Sequence, residues 1–107
     1  TPSNAGTATI PVPVGVPAAP SSLVRTMVTR TSIAIGWVDN ATNETGFHVE
    51  RSTNRSTWRR VATLEANSRG YNSTGLESNT TYYFRVRAFN TVANSAYTAT
   101  LMVKTLR

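Results

Sequence analysis

Residues 81–90, TYYFRVRAFN, put Tyr82, Phe84, Val86 and Ala88 at every second position, with Tyr83, Arg85, Arg87 and Phe89 between them. A period of two belongs to a strand, because successive side chains leave the backbone on opposite faces. The first set is expected on a core and the second facing away from it. Such a strand needs a sheet with one covered face, which excludes an isolated hairpin and points to two packed layers.

The rest of the chain repeats this logic in shorter runs. Residues 32–38 set Ile33, Ile35 and Trp37 against Ala34, Gly36 and Val38, and residues 47–52 set Phe47 and Val49 against His48 and Glu50. Residues 23–28 and 71–74 read as further strands. Residues 57–64, with Trp58, Val61 and Leu64, have the less regular period of a bulged edge strand. Residues 96–105 close the chain, with Tyr97, Ala99, Leu101 and Val103 alternating. Turn residues separate the runs every ~8–12 positions, the spacing of an all-β sandwich. Seven strands and no helical period predict an antiparallel sandwich.

Residues 1–20 differ in kind. All five prolines fall there (Pro2, Pro11, Pro13, Pro17, Pro20), among Ala, Val, Thr and Gly. Pro fixes φ and removes a ladder donor, so an extended or polyproline-like linker or tail is expected, with the folded domain at 21–107. A chain of 107 residues leaves room for one domain only. The absence of an initiator Met and of a charged-then-apolar leader suggests a piece of a larger protein.

Charge and cysteine content remove several function classes. The net charge of +6 invites a nucleic-acid reading, yet the eleven basic residues are scattered, with no Lys/Arg tract and no recognisable nucleic-acid module. No cysteine means no disulfide framework and no thiolate metal site. No run approaches the ~18 apolar residues of a membrane helix.

The candidates for chemistry are few. A nucleophilic triad needs a base beside a hydroxyl and a third group to orient it. The one histidine, His48, is expected on the solvent face of the third strand, with Asp39 in the preceding loop and no motif joining them. Asp39, Asn40, Asn43 and Glu44 form the only oxygen-rich turn. Its spacing matches no calcium loop, and Asp and Asn also bond their own backbone, which is the reading preferred. No catalytic residue, metal site or cofactor is expected. Five Asn-x-Ser/Thr sites (Asn40, Asn43, Asn54, Asn72, Asn79) mark exposed loops if the chain passes through a glycosylating secretory pathway.

The stretches PAAPSSL, TSIAIGWVDN, GFHVERS, WRRVATL and LESNTTYYFRVRAFN together resemble a fibronectin type III domain. The most specific element runs from Leu76 through Thr80, Tyr82, Val86 and Ala88 to Asn90, with Ser78 where the family carries a proline. The pattern WxDNxxNExGFxxERS, from Trp37 to Ser52, resembles bacterial members, which recur in secreted polymer-acting enzymes and surface proteins. The resemblance implies an immunoglobulin-like sandwich with Trp37 buried and a core of Phe47, Val49, Leu76, Tyr82, Phe84, Val86 and Ala88. It also implies a tyrosine corner tying Tyr82 to the backbone near Glu77 and Asn79. The Arg-Gly-Asp tripeptide of adhesive members is missing: residues 90–95 read NTVANS, and Arg69 and Gly70 are followed by Tyr71.

In this topology the third, sixth and seventh strands share a sheet. Its outward residues would be His48, Glu50, Tyr83, Arg85, Arg87, Phe89, Met102 and Lys104. Cations among aromatic faces suit sugar rings or an acidic partner, whereas an ordinary solvated face with a cross-strand pair from Glu50 to Arg85 or Arg87 needs no ligand. The expected function is a non-catalytic spacer or accessory module of a secreted bacterial multidomain protein, monomeric in isolation. Its partners would be neighbouring domains; the alternative is a module binding polysaccharide or protein through that face.

Overall fold

Alternating burial along residues 33–38 and 81–89 sets where the core lies. The computed structural model describes residues 15–107, in which seven strands and no helix occur. In chain order these are β1 (Ser21–Val28), β2 (Ile33–Val38), β3 (Gly46–Ser52), β4 (Arg59–Glu65), β5 (Gly70–Ser73), β6 (Thr81–Phe89) and β7 (Leu101–Lys104). They form two antiparallel sheets, β1-β2-β5 and β4-β3-β6-β7: the antiparallel sandwich expected from the alternation, with the immunoglobulin-like form that the family resemblance implied. No helix among the described residues is long and apolar enough to cross a membrane.

Between the sheets lie Ile33, Ile35 and Trp37 from β2, Phe47 and Val49 from β3, and Tyr82, Phe84, Val86 and Ala88 from β6, with Leu76 and Val103 at the margins. Full burial of each large apolar side chain contributes about 1.5–3 kcal/mol. The Trp37 and Phe47 rings meet across the layers at 5.7 Å, tilted by 53°. Trp37 Nε1 is buried with no hydrogen-bond partner among the described residues, so the indole contributes through packing.

Tyr82 closes the tyrosine corner: the Glu77 N–H donates to its hydroxyl at 2.9 Å. Gly75, at φ +70°, occupies the left-handed region where a Cβ is strained. Beside it, Thr105 Oγ1 donates to the Glu77 carbonyl at 2.6 Å and accepts the Thr80 N–H at 2.9 Å. The corner without its proline is therefore clamped by the C-terminal strand.

Two expectations are corrected. The fourth strand begins at Arg59 rather than residue 57, because residues 53–57 are bound into a turn by Ser52 and Asn54. The last strand is only Leu101–Lys104, because side-chain hydroxyls take part of the ladder before it. Ser95 Oγ accepts the Ala88 N–H at 2.9 Å, and Thr98 Oγ1 accepts the Val86 N–H at 3.1 Å. Those bonds turn Ser95 and Thr98 inward and put Tyr97 outside, so the alternation expected for Tyr97 and Ala99 does not extend through residues 96–100.

Residues 1–14 of the expected linker lie outside the described residues, whereas Gly15, Pro17 and Pro20 are buried. The Asn90 amide donates to the Gly15 carbonyl at 2.7 Å, and the Asn40 amide to the Ala19 carbonyl at 3.0 Å. These bonds attach the end of the Pro-rich segment to the sandwich just before β1.

Candidate functional site

The outer face of β4-β3-β6-β7 mixes charged and aromatic side chains, and the register dictates their rows. Arg60, Glu50 and Arg85 lie side by side across β4, β3 and β6; Thr63, His48 and Arg87 form the next row. Beyond them, Phe89 lies opposite Gly46, and Tyr83 opposite Ser52 and Met102.

Glu50 is the centre. Arg85 donates through Nε and Nη2 to Glu50 Oε1 at 2.9 and 2.7 Å, while the Tyr97 hydroxyl donates to Oε2 at 2.8 Å. The guanidinium of Arg85 lies 4.2 Å from the Trp58 ring centroid and 3.8 Å from that of Tyr97. A cation between two aromatic faces is worth roughly 0.5–2 kcal/mol per contact, depending on desolvation. Burial alone would raise the Glu50 carboxyl, but the hydrogen bonds from Arg85 and Tyr97 and the Arg85 and Arg87 charges outweigh it, and its pKa is lowered. Tyr97 is pushed up, first by burial and then by its bond to the carboxylate.

His48 belongs to the same network. Arg87 Nε–H donates to His48 Nδ1 at 3.1 Å, and the imidazole stacks on Phe89 with centroids 4.1 Å apart and planes 9° apart. Burial, with the Arg60 and Arg87 charges behind it, lowers the His48 pKa against the opposing pull of Glu50. An Nδ1 that accepts from a guanidinium is unprotonated, so geometry and electrostatics both describe a neutral ring.

The position of these two residues differs from the sequence expectation. His48 and Glu50, expected outward in solvent, are 7% and 8% exposed. Long neighbours from β4, β6 and the segment before β7 lie over the central strand and cover them. Tyr83, Arg85, Arg87 and Phe89 are half-buried, and only Met102 and Lys104 stand fully exposed. Trp58, Arg60 and Tyr97 were missed as members of this face. A bulge between Val49 and Glu50 places Arg60 in register, and the hydroxyl-bonded segment turns Tyr97 outward. The bulge falls in the strand whose irregular period announced it, whereas nothing in the alternation of residues 96–105 marks the outward turn of Tyr97.

The turn of Asp39, Asn40, Asn43 and Glu44 spends its oxygens on the fold. Asp39 Oδ1 accepts the Ala41 N–H at 3.0 Å, and Glu44 Oε2 accepts the Asn67 N–H of the β4–β5 turn at 3.0 Å. The Asn43 carbonyl takes the Asn90 amide at 3.2 Å. Asp39 and His48 thus serve separate networks, and among the described residues no cluster of three metal-ligating side chains occurs.

Gly46 shows why the GF pair stands where it does. A Cβ there would collide with the Leu64 carbonyl and meet the Phe89 ring at 3.1 Å. Phe89 covers the glycine from the neighbouring strand, then stacks on His48.

Comparison with known proteins bears on the fold. Domains A168-A170 from titin superpose with a TM-score of 0.74 at 26% identity, covering 86% of this chain and 33% of that one. A structure described as "Myokine structure" gives 0.72 at 21% identity, with 85% and 99% covered. Chicken CNTN1 FN1-FN3 domains give 0.74 at 17%, with 89% and 31% covered. The chain thus spans about a third of the titin and CNTN1 fragments and nearly all of the myokine chain. The family profile described as "Fibronectin type III domain" matches residues 18–103, and the chain belongs to that family.

Proposed function

We propose that the chain is a non-catalytic structural or accessory module that spaces neighbouring domains of a secreted bacterial multidomain protein, one acting on extracellular polymers. The observation that carries this reading is the state of the β4-β3-β6-β7 face. Its central carboxylate Glu50, its imidazole and its best-placed guanidinium are engaged with each other, and the first two are covered. A face built to grip a ligand would hold such groups in reserve. The match to about a third of the titin and CNTN1 fragments supports a place in a row of domains. The bacterial, secreted setting rests on the pattern from Trp37 to Ser52. A monomer in isolation, with no nucleic-acid partner, completes the reading.

The second reading, a polysaccharide- or protein-binding face, is left with Tyr83, Arg87, Phe89, Met102 and Lys104. Affinity electrophoresis of the chain in gels containing neutral or acidic polysaccharides separates the two. The spacer reading expects no retardation by neutral polymers, and any retardation by acidic ones to survive Arg87→Gln with Lys104→Gln. Retardation that disappears with those substitutions, while the fold remains intact, overturns it in favour of the binding face.

A further inference from the structure

A second cationic feature lies at the other end of β3 and takes no part in the Glu50 network. Arg51 and Arg59 are direct cross-strand partners at the end where the 52–57 turn joins β3 to β4. Like charges placed opposite each other destabilise a sheet unless something lies between them. Beside them is a cavity of about 180 Å³ lined by Arg51, Ser52, Thr53, Thr57, Arg59 and Tyr82. Its lining holds two guanidiniums, four hydroxyl-bearing side chains and no carboxylate, and the one ion pair among the described residues is Arg85 with Glu50.

The walls are built rather than incidental. Arg51 Nη1–H donates to the buried Ser73 Oγ at 2.9 Å, and its guanidinium lies 5.5 Å from the Tyr82 ring centroid. That side chain is therefore anchored from the core side of the sheet. The 52–57 turn is locked by four amide bonds: Asn54 and Arg55 donate to Ser52 Oγ, and Ser56 and Thr57 donate to Asn54 Oδ1. Thr53 and Thr57 thus stand on a fixed rim, and the exposed Arg59 closes the opposite side.

We propose that this cavity is an oxyanion site taking sulfate or phosphate, free or as the ester end of a larger ligand. Two positive charges match a doubly charged tetrahedral group, guanidinium N–H donors fit its oxygens, and threonine hydroxyls supply neutral donors at the rim. The bound anion would also relieve the Arg51–Arg59 repulsion. The proposal is independent of the spacer reading, because it involves none of the residues of the Glu50 network.

The test is an NMR titration of the whole chain with sodium sulfate and with sodium phosphate at constant ionic strength set by chloride. The readouts are backbone amides of residues 51–59 and the arginine Nε–Hε signals. The expected result is saturable shifts confined to residues 51–59, with affinity lowered about tenfold in Arg59→Gln, the loss of one charge-assisted contact. Arg59 is exposed, so the variant should keep the wild-type spectrum elsewhere; Thr57→Val supplies a second, milder probe from the rim. A sugar sulfate and a sugar phosphate identify the source: tighter binding than the inorganic ions assigns an ester end group, and equal binding a free ion. Shifts that do not saturate, that are unchanged in Arg59→Gln, or that centre on Arg60, Arg85 and Arg87 overturn the proposal.

Discussion

The Arg85 guanidinium lies 3.8 Å from the ring centroid of Tyr97, and both side chains hold the same carboxylate, that of Glu50, through different oxygens. The three groups are 12 or more residues apart in sequence, and each satisfies the other two. Trp58 covers the far side of the guanidinium. The arrangement joins β3, β6 and the segment leading into β7, where hydroxyls rather than a regular ladder hold the chain.

Tyr97→Phe keeps the ring over Arg85 and removes only the hydroxyl on Glu50. A loss of about 1 kcal/mol is expected, the net value of a hydrogen bond to a partly buried charged group. Tyr97→Ala removes the cation–π contact as well and should cost about 1 kcal/mol more. Urea denaturation of the two variants checks the order.

Acid should weaken the domain in two steps. Glu50 has a folded pKa below its unfolded value, so its contribution is complete above the usual carboxylate range and is lost as pH falls through the folded pKa. His48 also has a lowered pKa; the unfolded chain binds that proton first, so stability falls as pH drops from about 6.5 toward the folded value. Denaturation midpoints from neutral to acid pH should show both losses. His48→Phe removes the upper one and leaves the lower.

Trp37 separates packing from hydrogen bonding. Its Nε1 is unpartnered, so Trp37→Phe loses ring area but no bond, whereas Trp37→Ala opens a cavity between the sheets. The alanine variant should lose about 3–5 kcal/mol and the phenylalanine variant clearly less. Thermal melts of the pair check this.

Gly46→Ala places a methyl group into the Leu64 carbonyl and the Phe89 ring. One of them must move, at a cost of about 1–3 kcal/mol. Movement of Phe89 also unstacks His48, so the histidine pKa measured by NMR should shift in the variant.

The core was legible because burial follows the period of two in β2 and β6, whereas β3 is buried at nearly every position; the sharing of a sheet by β3, β6 and β7 followed from the family resemblance. The candidate face was legible as a set of positions but not as a state. His48 and Glu50 alternate outward as read, yet arginine and aromatic side chains from adjoining strands bury them. That covering depends on a bulge at Val49 and Glu50 and on Ser95 and Thr98 replacing ladder bonds. The irregular period of residues 57–64 announced the first, whereas nothing in the alternation of residues 96–105 marks the second. The Asp39-to-Glu44 turn was readable as self-bonding, but the reach of Glu44 to Asn67 was not, because the β4–β5 turn lies 23 residues away.

The central claim is that the charged aromatic face braces the sandwich instead of waiting for a ligand. A double-mutant cycle on Arg85→Ala and Tyr97→Ala, read by urea denaturation of the isolated chain, tests it most directly. The account predicts a coupling of about 1–2 kcal/mol, because each side chain is positioned against the other and against Glu50. Additive effects, with coupling indistinguishable from zero, would contradict it and leave both side chains free to serve a partner.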